Sequence, residues 1–292
     1  LADGRTLRDV LGSIAEHHRT GTPVGVRMDP ESGLVWSPAH YTWMDTNHPA
    51  GTPREGYPIE LQALWIRLLG CLEGLGVEGP WGAVQEQARA SLERYWRPGC
   101  PWPSDVLRAA PGIPASQAVP DGALRPNMLF LVSLGLVEGP RAQAIVAAAT
   151  RHLLVPGGLR SLAPLPVPEP LVIRGRDGRD LNDPWNPYWG QYAGDEDTRR
   201  KPAYHNGTAW GWPLGVYAEA LALAWGPDPG ARAAALSVLG SCDRLLSSGC
   251  LGHLPEILDG DAPHTPRGCD AQAWSASEVL RAWLRIQNLP SR

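Results

Sequence analysis

Hydrophobic residues recur along this chain at the three- and four-residue spacing of helices, and no stretch shows a convincing strand pattern. The spacing predicts about eight helices, separated by loops rich in Pro and Gly. We therefore expect an all-α fold. The predicted helices cover residues 6–18, 58–75, 81–95, 125–136, 141–154, 212–225, 231–246 and 272–287.

The predicted helices differ in how far apolar residues spread around them. The helices over 58–75 and 212–225 are apolar on most faces, and Glu219 is the single charged residue of the second. The helix over 81–95 carries several Glu and Arg residues instead. Because a helix that is apolar all round is buried on most sides, we expect inner helices to alternate with outer ones.

One connection is much longer than the others. Residues 155–203 hold many Pro and Gly residues and the charged runs RGRDGRD and GDEDTRRK, which do not favour regular structure. Loops of this length are usually functional or mobile. We expect a single domain over residues 1–292 that carries this segment as a loop insertion. Its part over 164–188 ends close to an aromatic cluster, and we interpret it as a lid.

Charge, hydropathy and cysteine spacing narrow the class of partner. The formal net charge is −4 and no cluster of Lys and Arg indicates a nucleic-acid partner. The absence of a long apolar run and of a signal-peptide pattern favours a cytoplasmic protein with no membrane partner. The five cysteines lack metal-ligand spacing, and we interpret them as reduced thiols. The DGD at 259–261 lacks the other positions of a calcium loop and is interpreted as a turn, so we expect no cofactor and no metal.

Tryptophan is the unusual component of the composition. The chain has 13 Trp against a single Phe. A Trp ring offers a flat face to the C–H groups of a sugar, and its N–H reaches hydroxyls. Compositional drift towards Ala, Gly, Pro, Arg and Trp is the alternative, although drift explains the clustering of Trp poorly. A neutral sugar also fits the charge balance.

The densest cluster of aromatic and polar residues is YHNGTAWGWPLGVY, at 204–217. Trp and His stand here beside Gly, just before a long apolar helix, and Gly lets a backbone approach a ligand closely. The pattern indicates the wall of a pocket for a polar ring. The alternative is a capped helix start in which the Trp side chains fill the core.

Two carboxylates have neighbours that suit catalysis. Asp45 ends the sequence YTWMD, and Glu256 lies within HLPEI. A carboxyl among apolar neighbours suits a general acid, whereas a carboxylate that faces water can activate it. Two such groups on either side of a sugar are the equipment of glycoside hydrolysis. Taken singly, Asp45 also fits a turn or a helix cap, and Glu256 also fits an ion pair with Arg267.

Four motifs occur in order along the chain: TWMD with TPREGYPIELQALW, then LRPN, then YHNGTAWGWPLGVYAEAL, then GCLGHLPEILDGDAPHTPRGCDAQAWSASEVLRA. Together they resemble the C-terminal glucosidase domain of glycogen debranching enzymes, the amylo-α-1,6-glucosidase family. The resemblance runs from about residue 26 to about residue 285, and its last stretch is the most specific. Residues 164–188 depart from it most.

The resemblance implies an (α/α)6 toroid whose inner helices converge on a glucan pocket. It implies hydrolysis of α-1,6-linked glucose at the branch points of glycogen and limit dextrin, with inversion. Asp45 would be the general acid and Glu256 the general base, and inverting enzymes hold such groups about 6.5–9.5 Å apart. The substrate-binding residues that it implies are Trp43, Glu60, Arg125, His205, Asn206, Trp210 and Trp212, of which Arg125 and Trp212 fit a scaffold role equally well.

A complete toroid has more helices than the pattern predicts, and the family's domain begins well before the position that aligns with Leu1. We therefore expect a partial toroid without its N-terminal helices, completed by a partner chain or a further segment. Two alternatives to this hydrolase stay open. One is a non-catalytic α-glucan-binding domain or subunit completed by a partner. The other is a toroid glycosidase for another α-glucoside, such as trehalose, although the run from HLPEI to PHTPRG argues against it.

Overall fold

The computed structural model describes residues 3–46 and 52–289, and the chain divides into two compact units. The first unit consists of Leu1–Asp45 and Pro53–Asp121, and the second of Thr46–Thr52 and Gly122–Arg292. Helices are the main elements of both units, and each unit also contains short antiparallel strands.

The first helix of the first unit begins at a side-chain cap, and the second begins after a proline. In α1 the Thr6 side chain accepts a hydrogen bond from the Asp9 N–H, and the Asp9 side chain accepts one from the Thr6 N–H, which forms a capping box. The helix α2 begins directly after Pro58 and packs against α3. The elements are α1 (Leu7–Thr20), β1 (Arg27–Met28), β2 (Val35–Trp36), β3 (Gly56–Pro58), α2 (Ile59–Gly74), α3 (Trp81–Ser91), β4 (Val106–Arg108) and β5 (Val119–Asp121).

A five-stranded antiparallel sheet and a buried helix organise the second unit. The strand order is β10-β9-β8-β7-β6, so β8 lies at the centre of the sheet. Helix α7 packs against α4, α5, α8 and α10. The elements are α4 (Leu129–Ser133), α5 (Gly139–His152), β6 (Leu154–Val155), β7 (Gly158–Arg160), α6 (Lys201–Tyr204), β8 (Ala209–Trp210), α7 (Pro213–Ala224), α8 (Pro229–Gly240), α9 (Asp243–Leu246), β9 (Ile257–Leu258), β10 (Pro266–Arg267) and α10 (Ala273–Gln287).

The prediction of an all-α chain was wrong in one respect, because short strands accompany the helices. Each of these strands is two or three residues long. Alternation of polar and apolar residues needs at least four residues to be recognised, so strands of this length leave no readable pattern. Within the described ranges the structure is mostly helical with small sheets.

Helix α7 is as buried as its composition predicts. Most of its side chains are buried, and Glu219, its single charged residue, is 2 % exposed. The Glu219 carboxylate accepts hydrogen bonds from Arg281 at 2.6 Å and from Arg285 at 3.3 Å, both on α10. These bonds satisfy a charge that would otherwise be costly to bury. They therefore join the two helices through one ion-pair cluster.

The long connection is only partly irregular. Strands β6 and β7 lie at its start, and a π-helical turn over Glu196–Arg200 leads into α6. Between them, backbone hydrogen bonds from Leu171 to Pro184 and from Leu181 to Ile173, both 2.8 Å long, close an irregular hairpin. The segment interpreted as a lid is therefore held by its own backbone.

The five cysteines are free thiols that differ in exposure, which predicts a difference in reactivity. Burial raises the pKa of the Cys242 thiol to about 11, whereas Cys71 and Cys269 are exposed. Because the thiolate is the reactive form, iodoacetamide at pH 8 is expected to modify Cys71 and Cys269 first and to leave Cys242 unmodified. Peptide mass mapping checks this. Denatured protein, in which all thiols react, is the control, and early labelling of Cys242 in the folded chain would contradict the prediction.

None of the helices in the described ranges combines the length and the apolar character needed to cross a membrane.

Candidate active site

The motif at 204–217 surrounds the junction of α6, β8 and α7, and a buried arginine holds it in place. The Arg125 guanidinium donates hydrogen bonds to the carbonyl oxygens of Ser161 at 3.1 Å and of His205 at 2.5 Å. It also donates to the side-chain oxygen of Asn206 at 2.9 Å. The Asn206 amide in turn donates to the Pro202 carbonyl at 2.9 Å. Hydrogen bonds from a charged donor are stronger than neutral ones, so Arg125 fixes the backbone of the motif.

Aromatic side chains of the same motif pack against one another. The His205 and Trp210 rings are stacked, with centroids 5.1 Å apart and planes 12° apart. The Tyr204 ring lies 4.8 Å from each of them, centroid to centroid. The Nδ1 atom of His205 lies 2.8 Å from the Thr46 hydroxyl oxygen. Trp212 stacks instead on Trp274 of α10, with centroids 4.2 Å apart.

Most of the predicted substrate-binding residues of the second unit are deeply buried. His205 and Asn206 are 0 % exposed, and Arg125, Trp210 and Trp212 are also buried. Hydrogen bonds and ring contacts hold them within the second unit. For Trp212 the packing agrees with the alternative in which Trp fills the core. Their contact with sugar stays a prediction.

Glu256 lies at the surface edge of this cluster, directly before β9. The Tyr204 hydroxyl donates a hydrogen bond to Oε1 of Glu256 at 2.5 Å, and the Cys269 N–H donates one to Oε2 at 3.0 Å. The Glu256 N–H donates to the Cys269 carbonyl at 2.8 Å, so the two residues also pair through their backbones. The side chain is half-buried rather than enclosed. The carboxylate is therefore held in one orientation while water can still reach it.

Arg267 does not pair with Glu256, which was the alternative role for that carboxylate. The Arg267 guanidinium donates instead to the Asp259 carboxylate, at 3.0 and 3.1 Å. Asp259 belongs to the DGD sequence, which lies in the loop between β9 and β10. The described residues contain no group of three or more His, Cys, Asp or Glu side chains that could hold a metal ion.

The end of the long connection docks on the same loop. The Tyr192 N–H donates to the Asp259 carboxylate at 2.8 Å, and the Tyr188 hydroxyl donates to the Asp261 carboxylate, also at 2.8 Å. Burial, reinforced by the bond to Asp261, raises the pKa of Tyr188 to about 12, so its hydroxyl stays protonated as a donor. The docking brings the Tyr192 ring to 5.4 Å from the Tyr204 ring, centroid to centroid.

The remaining predicted site residues belong to the first unit. Asp45 is exposed and Trp43 is half-buried. Glu60 is 3 % exposed, and its two carboxylate oxygens accept hydrogen bonds from Arg54 at 2.5 and 2.7 Å. In the structure Glu60 is thus part of an ion cluster, and its contact with substrate stays a prediction.

Nothing in the sequence singles out Tyr204 or Tyr192, which the structure places near Glu256. Tyr204 is the first residue of the motif YHNGTAW, so its position was noted without its role. The residues that hydrogen-bond across this site are 52 positions apart in the chain. The pairing of β8 with β9 brings those segments together.

Comparison with known proteins identifies the family. The family model described as amylo-alpha-1,6-glucosidase matches residues 5–281. The chain belongs to the amylo-alpha-1,6-glucosidase family. This match confirms the resemblance that the four motifs carry, and it covers both units of this amylo-alpha-1,6-glucosidase family member.

Solved structures add a more distant similarity. The family member is similar to the crystal structure of GH63 mannosylglycerate hydrolase from Thermus thermophilus in complex with glucose, at 16% sequence identity and a TM-score of 0.49. The alignment covers 78% of this chain and 48% of that chain. The same hydrolase in complex with Tris and D-glycerate matches at 16% identity and a TM-score of 0.49, over 78% of this chain and 46% of that chain. The chain therefore spans about half the length of the structures that it matches.

Proposed function

We propose that this chain is an inverting glycoside hydrolase that removes α-1,6-linked glucose from the branch points of glycogen or limit dextrin. The observation that carries the proposal is the way in which the Glu256 carboxylate is held. Its two oxygens are each held by a donor, from Tyr204 and from Cys269, and the side chain remains half-buried. Family membership supplies the substrate class, because the matched family is that of amylo-alpha-1,6-glucosidase.

The two hydrogen bonds suit a general base. A carboxylate offers about four lone-pair sites, and the two donors occupy one on each oxygen. The remaining lone pairs leave the Glu256 carboxylate able to accept a proton from a water molecule. The water oxygen then bonds to the anomeric carbon on the face opposite to the departing chain, which inverts the configuration.

Asp45 is the proposed general acid. It donates its proton to the glycosidic oxygen as the bond between that oxygen and the anomeric carbon breaks, so the departing chain leaves as an alcohol. Trp43, two residues earlier and half-buried, is proposed to pack against a sugar ring. No metal or cofactor takes part in these proposed steps.

Glucose release from a phosphorylase-limit dextrin tests the proposal. The purified chain is expected to release glucose whose first-formed anomer is β, as read from the anomeric proton signals before mutarotation. Release of α-glucose would exclude inversion. A folded chain that binds the dextrin but releases no glucose would favour the non-catalytic binding domain. Maltose and trehalose serve as controls for other linkages, and faster hydrolysis of trehalose would favour another α-glucoside.

A further inference from the structure

We propose that Tyr204 is a positioning residue for Glu256, whose hydroxyl holds the carboxylate in the orientation that activates water. This inference rests on the proposed function, because it assigns a helper to the proposed base. The four motifs by themselves assign no role to Tyr204.

The carboxylate is held at two points. The Tyr204 hydroxyl binds Oε1 at 2.5 Å, and the Cys269 N–H binds Oε2 at 3.0 Å. A Glu side chain rotates about three bonds, and a single donor would leave the carboxylate free to turn about that contact. Two donors on two different oxygens define the plane of the group. Short hydrogen bonds from a hydroxyl to a carboxylate are also among the stronger ones in proteins.

The Tyr204 ring is itself immobilised. Three rings surround it, those of Tyr192, His205 and Trp210, with centroids 4.8 to 5.4 Å away. The Tyr204 carbonyl accepts hydrogen bonds from Trp210 Nε1 at 2.9 Å and from the Thr208 hydroxyl at 2.5 Å. The packing of the motif therefore fixes the position of the Tyr204 hydroxyl beside Glu256.

The backbone beside the second donor, the Cys269 N–H, leaves the Glu256 carboxylate little room to move. A Cβ atom at Gly268, whose φ is +69°, would overlap Oε2 of Glu256. Only Gly tolerates this φ and this closeness together, so the backbone passes directly against the carboxylate. Because the Cys269 donor is a backbone N–H, only proline, which also constrains the backbone, would remove it. The Tyr204 donor can be removed without a change to the backbone.

Tyr204→Phe keeps the ring and its packing and removes the hydroxyl alone. The carboxylate then keeps one donor and turns away from the water, and misplacement of a reacting group by about 1 Å costs on the order of 100-fold in rate. We expect kcat to fall by about 10- to 100-fold with KM nearly unchanged.

A matched control separates this role from a general loss of stability. Tyr95 is 1 % exposed, and its hydroxyl donates a hydrogen bond to the Tyr57 carbonyl at 2.6 Å within the first unit. Tyr95→Phe thus removes the hydroxyl of a buried Tyr outside the motif at 204–217. It is expected to leave kcat unchanged, and thermal melts of both variants show whether each one is folded.

The experiment measures kcat and KM on limit dextrin for wild type, Tyr204→Phe, Tyr95→Phe and Glu256→Gln. A fall in kcat at nearly unchanged KM in Tyr204→Phe supports the inference. A wild-type kcat in Tyr204→Phe overturns it while the proposed function stands, provided that Glu256→Gln is inactive. A fall in kcat matched by Tyr95→Phe, or a rise in KM without a fall in kcat, shows a merely structural role. An active Glu256→Gln overturns the proposed function, and the inference with it.

Discussion

Glu256→Gln is expected to lower kcat for glucose release by about 100- to 10,000-fold, which is the range that a positioned general base contributes. The neutral amide cannot accept the proton of the attacking water. The substitution suits the test, because the amide oxygen can still accept from the Cys269 N–H while the amide nitrogen donates to the Tyr204 hydroxyl oxygen. The fold and KM are therefore expected to be kept. Steady-state kinetics on limit dextrin, with a thermal melt, check the prediction.

The control for this variant is Glu86→Gln. Glu86 is exposed on α3, and the substitution makes the same change of charge outside the proposed site. It is expected to leave kcat unchanged. A Glu256→Gln enzyme that keeps more than a tenth of the wild-type kcat would show that another group activates the water.

A substrate whose leaving group needs no proton separates the two proposed carboxylates. Fluoride departs without protonation, so Asp45→Asn is expected to keep hydrolysing α-glucosyl fluoride while it loses activity on limit dextrin. Glu256→Gln is expected to lose both activities, because water must still be activated. Equal loss on both substrates in Asp45→Asn would contradict the role of Asp45 as the acid. Asp243→Asn, at an exposed helix residue, is the control for the substitution itself.

Arg54→Ala is expected to lower the free energy of unfolding by about 3–5 kcal/mol, because it removes one partner of a buried ion cluster. The Arg54 guanidinium donates to both oxygens of Glu60 and, at 2.6 and 3.2 Å, to both oxygens of Asp105. The side chain of Arg54 is 4 % exposed and that of Asp105 is 3 % exposed. Burial by itself lowers the pKa of Arg54, but Asp105 and Glu60 outweigh it and raise the pKa above its usual value. Removal of Arg54 leaves two buried carboxylates without this cation.

Urea denaturation followed by circular dichroism measures this effect, with each transition fitted separately because the chain has two units. Arg67→Ala is the control, since Arg67 is exposed on helix α2, the helix that carries Glu60. We expect it to change the free energy of unfolding by no more than about 0.5 kcal/mol. An Arg54→Ala chain as stable as the control would show that the two carboxylates find other partners or become protonated at little cost.

The helices were predictable from the sequence where the apolar spacing extends over several turns. The helices α2, α7 and α10 begin and end within one or two residues of their predicted limits, because apolar spacing over several turns and Pro in a first turn are local signals. The strands were missed because each is only two or three residues long. Their pairing depends on the partner segment, as where Trp210 of β8 lies opposite Ile257 of β9.

The candidate site was likewise predictable only in part. Glu256 and the motif at 204–217 were both noted from the sequence, because unusual residue types stand close together there. The bond from Tyr204 to Glu256, the bond from Arg267 to Asp259 and the burial of His205 were not. The first of these contacts joins residues 52 positions apart, and neither side chain indicates its partner by its neighbours in the chain.

The sequence by itself determined the family, through four motifs that occur in order, and the helical character, through apolar spacings within a few turns of chain. It also indicated the two carboxylates that are proposed for catalysis. The tertiary structure alone decided which side chains hold Glu256, that Arg54 neutralises Glu60 and Asp105, and that His205 and Asn206 lie inside the protein. The physical reason is that burial and hydrogen-bond partners are set by the packing of segments distant in the chain, and that packing minimises the free energy of the whole fold rather than of any one motif.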